Sequence, residues 1–334
     1  MTIGWAMIGT GSVHKKIALA IKEAKDTKLV AVLSREKARA VAFAKEHSIE
    51  KAYDSLDELL RDPEVNAVYV GSPNGLHAMH TIRAAEAGKH VLCEKPMAPT
   101  LKECHSMIEA SKKNRVKLGL GFQYRQHPAH LKAHEIMASG ELGHLIFANA
   151  QVEIPSLQAA GWYYEPGMAG GGAICMVGVH RIDLLRFILG REVVEVSAFI
   201  GEQPPERPFE EMMVGLLRFD NGGFGTVHFS INIPHGNDSL EMHGSKGSLY
   251  CIDTTSLWWG GGTGELLLKS DKVTTKYQFQ KPNVYKDEIE DFNCCIKEGG
   301  EPLATGMDGL RTAEITIAML ESSRQGKTIR IKDL

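Results

Sequence analysis

Three short stretches of the chain carry residues suited to chemistry. Gly9-Thr10-Gly11-Ser12-Val13-His14 links an apolar run to a segment of helical spacing. Gly9 permits a tight turn, and Gly11 lets backbone approach a bulky group closely. A helix opening here presents unpaired N–H groups and a partial positive charge, so Thr10, Ser12 and Val13 are placed to cradle a pyrophosphate. His14 stands where a third glycine or alanine is usual; it either contacts the pyrophosphate or caps the turn. The second apolar run ends in Leu33-Ser34-Arg35, with Arg39 one helical turn on. An acidic residue there would bind a ribose 2′-hydroxyl. A hydroxyl and two guanidinium groups suit a 2′-phosphate instead. The pattern predicts a dinucleotide site favouring NADP, with NAD as the other possibility.

The second stretch is Glu94-Lys95-Pro96, directly after another apolar run. Hydride transfer to a carbonyl needs a group that stabilises the developing alkoxide and a proton for the oxygen. An ammonium such as that of Lys95 can do both. The third stretch is Gly170-Gly171-Gly172 followed by His180 and Asp183. His180 is a second acid–base candidate. Asp183, three residues on, shares a helical face with it and could hold substrate hydroxyls. The plain alternatives are a surface lysine and a core histidine.

The elements that must position these groups alternate in the first part of the chain. Apolar runs at 3–8, 29–33, 67–70, 90–93 and 117–120 are separated by helical patterns at 13–24, 36–47, 76–87 and 101–113. A further short helix follows an expected N-cap at Asp54. Continuous apolar strands between amphipathic helices predict a parallel sheet covered on both faces. After about Gln123 the pattern changes. Helices are expected at 128–139 and 181–189. Strand-like segments then follow at 193–201, 213–219, 225–231, 240–243, 248–252, 257–259, 266–269 and 273–279. Short loops predict a largely antiparallel sheet. Helices at 284–298 and 308–325 close the chain. Gly260-Gly261-Gly262 lacks a following helix and a Lys-Ser/Thr pair, so it reads as a turn. The expected fold is α/β: a Rossmann domain at 1–123 and an α/β domain with a large, mostly antiparallel open sheet at 124–334.

Composition narrows the function classes. A length of 334 residues favours two domains. A net charge of -3 argues against a non-specific nucleic-acid binder. No apolar run is long enough to span a bilayer, and residues 2–8 are too short for a signal peptide, so a cytoplasmic protein is expected. The 6 cysteines form no C-x-x-C pair and no zinc-like cluster. They read as reduced thiols, and no metal site is expected.

Glu94-Lys95-Pro96, taken with the glycine turn, resembles the Gfo/Idh/MocA oxidoreductase family over the whole chain, and within it the NADPH-dependent sugar reductases. Ser72-Pro73-Asn74-Gly75-Leu76-His77, the 121–125 stretch and Gly178-Val179-His180 with Asp183 support the likeness. The resemblance implies an active site between the two domains and a homodimer or homotetramer. It implies a sugar, polyol or related small carbonyl as substrate. It places Lys95 against both the nicotinamide ribose and the substrate oxygen, followed by a proline that is often cis. It further implies cofactor contacts from Ser72, Pro73, Asn74, His77, Glu94, Gln123, Trp162, Tyr163 and Tyr285, with Trp162 also near substrate. Where relatives carry an aspartate before the glycine and histidine, this chain has Met176, which can neither take a proton nor orient a donor. That departure keeps open a second reading, a non-catalytic NAD(P)-binding sensor on the same fold.

Overall fold

A computed structural model describes residues 2–155, 161–165, 167–201, 209–255, 264–271 and 273–334. The expected strand at 257–259 and the turn at 260–262 lie outside the described residues. The chain divides into two compact units. One comprises Met1–Gln123 with Asn283–Leu310; the other comprises Tyr124–Pro282 with Arg311–Leu334. This corrects the expectation of a single domain over 124–334, because one helix of the C-terminal part belongs to the first unit.

The first unit opens with β1 (Ile3–Ile8), α1 (Ser12–Glu23), β2 (Thr27–Leu33), α2 (Lys37–Glu46), β3 (Lys51–Tyr53) and α3 (Leu56–Arg61). It continues with β4 (Ala67–Val70), α4 (His77–Glu86), β5 (His90–Cys93), α5 (Leu101–Asn114) and β6 (Leu118–Leu120). The strands form one parallel sheet in the order β3-β2-β1-β4-β5-β6. Strand order therefore reverses between β1 and β4, the place where open α/β sheets bind ligands beyond their carboxyl ends. Every residue of β1 and β4 is buried, as a sheet covered on both faces requires. The short β3 was not anticipated. The helix after it is capped by Ser55, whose side chain accepts the Glu58 amide at 3.4 Å, rather than by Asp54.

The second unit contains α6 (Pro128–Ala138), β7 (Leu145–Glu153) and α7 (Val179–Leu189), the last entered through a π-helical turn at Ile174–Gly178. β8 (Val193–Ile200), β9 (Met212–Phe219), β10 (Phe224–Ser230), β11 (Asp238–Gly244), β12 (Gly247–Ile252), β13 (Glu265–Ser270) and β14 (Thr274–Tyr277) follow. α8 (Val284–Glu298) returns to the first unit: Trp5 Nε1 donates to Asn293 Oδ1 at 3.1 Å, and the Phe292 ring lies 5.6 Å from that of Trp5. α9 (Gly306–Gln325) and β15 (Ile329–Arg330) end the chain. The sheet order is β14-β13-β12-β11-β7-β10-β9-β8-β15, antiparallel except where β10 runs parallel to β7. β7 was missed from sequence because its inward residues include Ala148 and Ala150, which bury without a large apolar signal. The outward faces of β8, β9 and β10 leave Phe199 (72%), Leu216 (56%) and Phe224 (49%) exposed.

Candidate active site

The glycine turn sits at the carboxyl end of β1. Gly9 has φ 119°, a left-handed conformation that favours glycine. Gly11 and Ser12 are exposed at the start of α1, where the first N–H groups of a helix have no partner in the helix. His14 is 1% exposed and lies beneath the turn. Its Nδ1 accepts the Gly11 amide at 3.0 Å, which leaves Nε2 to donate to the Ile8 carbonyl at 3.1 Å. A side chain on Gly9 or Gly71 would come within 2.4 or 2.6 Å of the imidazole. So the bulk that replaces the third glycine fits because two other positions are bare. Of the two roles open for His14, the structure shows the cap. Burial pushes its pKa down to about 4, so it is neutral.

Ser34 is buried after β2, while Arg35 and Arg39 are exposed on the adjoining turn and on α2. Arg39 makes a loose ion pair with Glu36, at 3.8 Å between two exposed groups. After β4, His77 ties the neighbouring loops together. Its Nδ1 lies 2.9 Å from the Pro96 carbonyl and its Nε2 lies 2.8 Å from that of Ser72. Ser72 Oγ bonds His80 Nδ1 at 2.8 Å, and Asn74 is buried. After β5, the Lys95–Pro96 peptide is cis. Glu94 is buried and accepts the Tyr69 hydroxyl and, at 3.1 Å, the Lys95 amide. Burial raises its pKa, against the pull of nearby Lys95. After β6, Gln123 is 5% exposed; its Nε2 donates to Tyr285 at 3.3 Å, and its Oε1 is buried without a hydrogen-bond partner among the described residues. An open helix N-terminus, exposed arginines after β2 and an orphaned amide oxygen after β6 fit a dinucleotide laid across the strand ends. Thr10, Ser12, Val13, Arg35 and Gln123 would hold it.

The second unit carries a pocket of about 230 Å³ lined by His180 and Tyr124, with Glu153, Arg181, Asp238, Asp253, Thr255 and His235 around it. One circuit of contacts fixes the imidazole. Tyr124 meets it edge-on, with ring centroids 4.9 Å apart and planes at 75°. The Tyr124 hydroxyl donates to the Thr255 carbonyl at 3.1 Å, and the Thr255 amide and hydroxyl each donate to Asp238 Oδ2 at 2.8 Å. Asp238 Oδ1 accepts from Arg181 at 2.6 Å, which returns to the residue beside His180. Sequence reasoning missed Tyr124, Asp238 and Thr255, because their roles depend on strands and loops far apart in the chain.

Asp183 is not among the residues lining this pocket. It is 1% exposed, inside α7, with its carboxylate bound by Arg125. Trp162 and Tyr163 lie in a short 3₁₀ turn with rings stacked at 4.1 Å, and Tyr163 also meets Phe209 at 5.8 Å. Met176 is 8% exposed and sits in the π-helical turn among the core residues of the second unit. Such turns are frequent at functional sites.

The fold and the strand-end site define an oxidoreductase with a nicotinamide-dinucleotide domain. Residues 3–122 match the family model described as "Oxidoreductase family, NAD-binding Rossmann fold". Residues 130–250 match the "GFO/IDH/MocA C-terminal domain". The chain is 31% identical to the 1,5-anhydro-D-fructose reductase of Ensifer adhaerens, covering 98% of each protein. It is 28% identical to D-xylose 1-dehydrogenase (NADP(+)) 2 of Haloferax volcanii, over 98% of this chain and 99% of that one. It superposes on the crystal structure of aldose-aldose oxidoreductase from Caulobacter crescentus with TM-score 0.90, at 26% identity, over 99% of this chain and 100% of that one. The chain belongs to the Gfo/Idh/MocA oxidoreductase family.

Proposed function

We propose that this protein is an NADP-preferring oxidoreductase that interconverts a carbonyl and a hydroxyl on a neutral sugar or polyol. The observation that carries the substrate class is the His180 pocket. Its rim holds Glu153, Asp238, Asp253 and Thr255, oxygen acceptors suited to a ligand rich in hydroxyl donors. Glu153 is held in place by the Asn237 amide at 3.0 Å and by His228 at 3.2 Å. Carboxylates at the rim disfavour a substrate that carries its own carboxylate. Names of relatives that act on sugars support the same class.

In the reducing direction the carbonyl carbon gains a hydride and its oxygen gains a proton. The reduced nicotinamide supplies the hydride when bound. Lys95 supplies a cation for the developing alkoxide and a proton for the oxygen. His180, its ring set by Tyr124, is the second proton carrier. Arg35 and Arg39 supply the preference for a 2′-phosphate.

We further propose a homodimer or homotetramer that covers the exposed Phe199, Leu216 and Phe224, and a cytoplasmic location in keeping with six free cysteines. Among the described residues no helix is long and apolar enough to cross a membrane. The test of the activity is nicotinamide absorbance with NADPH or NADH and a panel of neutral sugar ketones, polyols and sugar acids. Turnover of a neutral member with NADPH is expected. Cofactor binding without turnover of any member would favour the sensor reading that Met176 keeps open.

A further inference from the structure

Gly170-Gly171-Gly172 looks from sequence like a plain turn before His180. The Gly172 amide and the two that follow it have a definite occupant. Glu210, two residues before β9, reaches this segment and is 3% exposed. Its Oε1 accepts the Gly172 amide at 2.7 Å and the Ile174 amide at 2.9 Å. Its backbone carbonyl accepts the Ala173 amide at 2.7 Å. Three successive N–H groups at the start of a helical run are thus taken by one residue from a distant part of the chain. These are donors a helix cannot satisfy from within. The fit leaves no room for side chains: a Cβ on Gly172 would lie 2.1 Å from the Glu210 carbonyl oxygen, and one on Gly171 would lie 3.0 Å from Cys175 Sγ. The helical run so anchored continues through the π turn into α7 and carries both Met176 and His180.

We infer that Glu210 is a positioning residue for His180: it fixes the origin of the helical run, and with it the height and rotation of the imidazole. The lever is short. His180 lies six steps along the run from Ile174, about 9 Å of helix at about 1.5 Å per residue. A π turn lies within that distance, and its widened hydrogen bonding makes it the part most able to rewind into an ordinary α turn once its start is released. Rewinding would turn His180 away from the Tyr124 edge. A displacement of about 1 Å at a catalytic group costs on the order of 100-fold in rate. The negative charge of the carboxylate also favours the positive end of the helix.

The inference rests on the proposed activity of His180, so the test has one readout that depends on turnover and one that does not. Full-length wild type, E210A, E210D and E210Q are compared for NADPH affinity, kcat on the best neutral carbonyl substrate, and the imidazole NMR signal of His180, assigned through H180N. Gln keeps an oxygen that can accept both amides; Asp is one methylene too short. The expected result is a fall in kcat of about 10- to 100-fold in E210A and E210D, with recovery to within a few-fold of wild type in E210Q. NADPH affinity should stay within about twofold throughout, since Glu210 lies outside the nucleotide unit. The His180 signal should shift in E210A and return in E210Q. Wild-type kcat in E210D, or E210Q as impaired as E210D, would overturn the inference. The E210D–E210Q pair decides even if E210A fails to fold. If wild type turns over no substrate, the proposed function fails by itself, and an unmoved His180 signal in E210D would overturn the positioning role separately.

Discussion

Arg125 holds Asp183 in a forked grip, with Nη2 to Oδ1 at 2.7 Å and Nε to Oδ2 at 2.9 Å. Both groups are buried, and Arg186 adds a longer contact to Oδ1 at 3.9 Å. The guanidinium of Arg125 also lies over Phe187, 4.9 Å from the ring centre. This carboxylate, read from sequence as a binder of substrate hydroxyls, thus pins the loop before α6 to α7. Removing the carboxylate strips the buried guanidinium of its forked partner. D183A should therefore lose about 3–5 kcal/mol in chemical denaturation. If stability holds and only KM rises, Asp183 binds substrate after all.

The histidines beneath the surface predict acid sensitivity. Burial holds His14 and His80 down to about 4 and His130 to about 3, from an ordinary value of 6.5. An unfolded chain would take up protons at these sites first. Stability is therefore present above 6.5 and falls as pH drops toward the folded values, each group contributing a loss of about 1.4 kcal/mol per pH unit. Glu94 and Glu210, whose pKa values are raised mainly by burial, pull the other way, because acid relieves their cost. Three histidines, each counting one proton, outnumber these two carboxylates. Melting temperature should fall steadily on acidification below about pH 6.5; a flat profile would contradict neutral, buried imidazoles.

Arg35 is exposed after β2 and is one of the two guanidinium groups proposed to meet a 2′-phosphate. R35D should weaken NADPH by about 10- to 100-fold, the worth of a charge-assisted contact, and NADH by much less. Fluorescence titration of both cofactors reads the ratio. Equal effects on the two would remove the 2′-phosphate from this site.

Lys95 is the group proposed to meet the alkoxide. K95A should lower kcat by about 100- to 10,000-fold while NADPH affinity changes little. Undiminished turnover in K95A would take Lys95 out of the chemistry.

Met176 is packed in the apolar interior of the second unit. M176D would bury a carboxylate there, and the expected outcome is a protein destabilised by about 2 kcal/mol or more, with no gain in turnover. M176L should keep both. A faster, equally stable M176D would instead mean that this position faces the reacting atoms.

Much of the first unit was legible because its signals are local. A buried parallel strand is an unbroken apolar run, a glycine at positive φ announces a turn, and the order of strands and helices leaves few ways to wind a parallel sheet. So Gly9, Ser34, Arg35, Lys95 and Gln123 could be placed after their strands from sequence alone, together with the family. Three kinds of fact were decided only by the tertiary structure. β7 went unseen because alanines on its inner face bury silently. The fate of charged groups depends on what long-range packing brings beside them: Asp183 found Arg125, and Glu210 found the amides of Gly172 and Ile174, across separations that no spacing rule reads. His14 is the clearest case. The sequence shows a missing glycine; only the fold shows that Gly9 and Gly71 clear the space its imidazole fills.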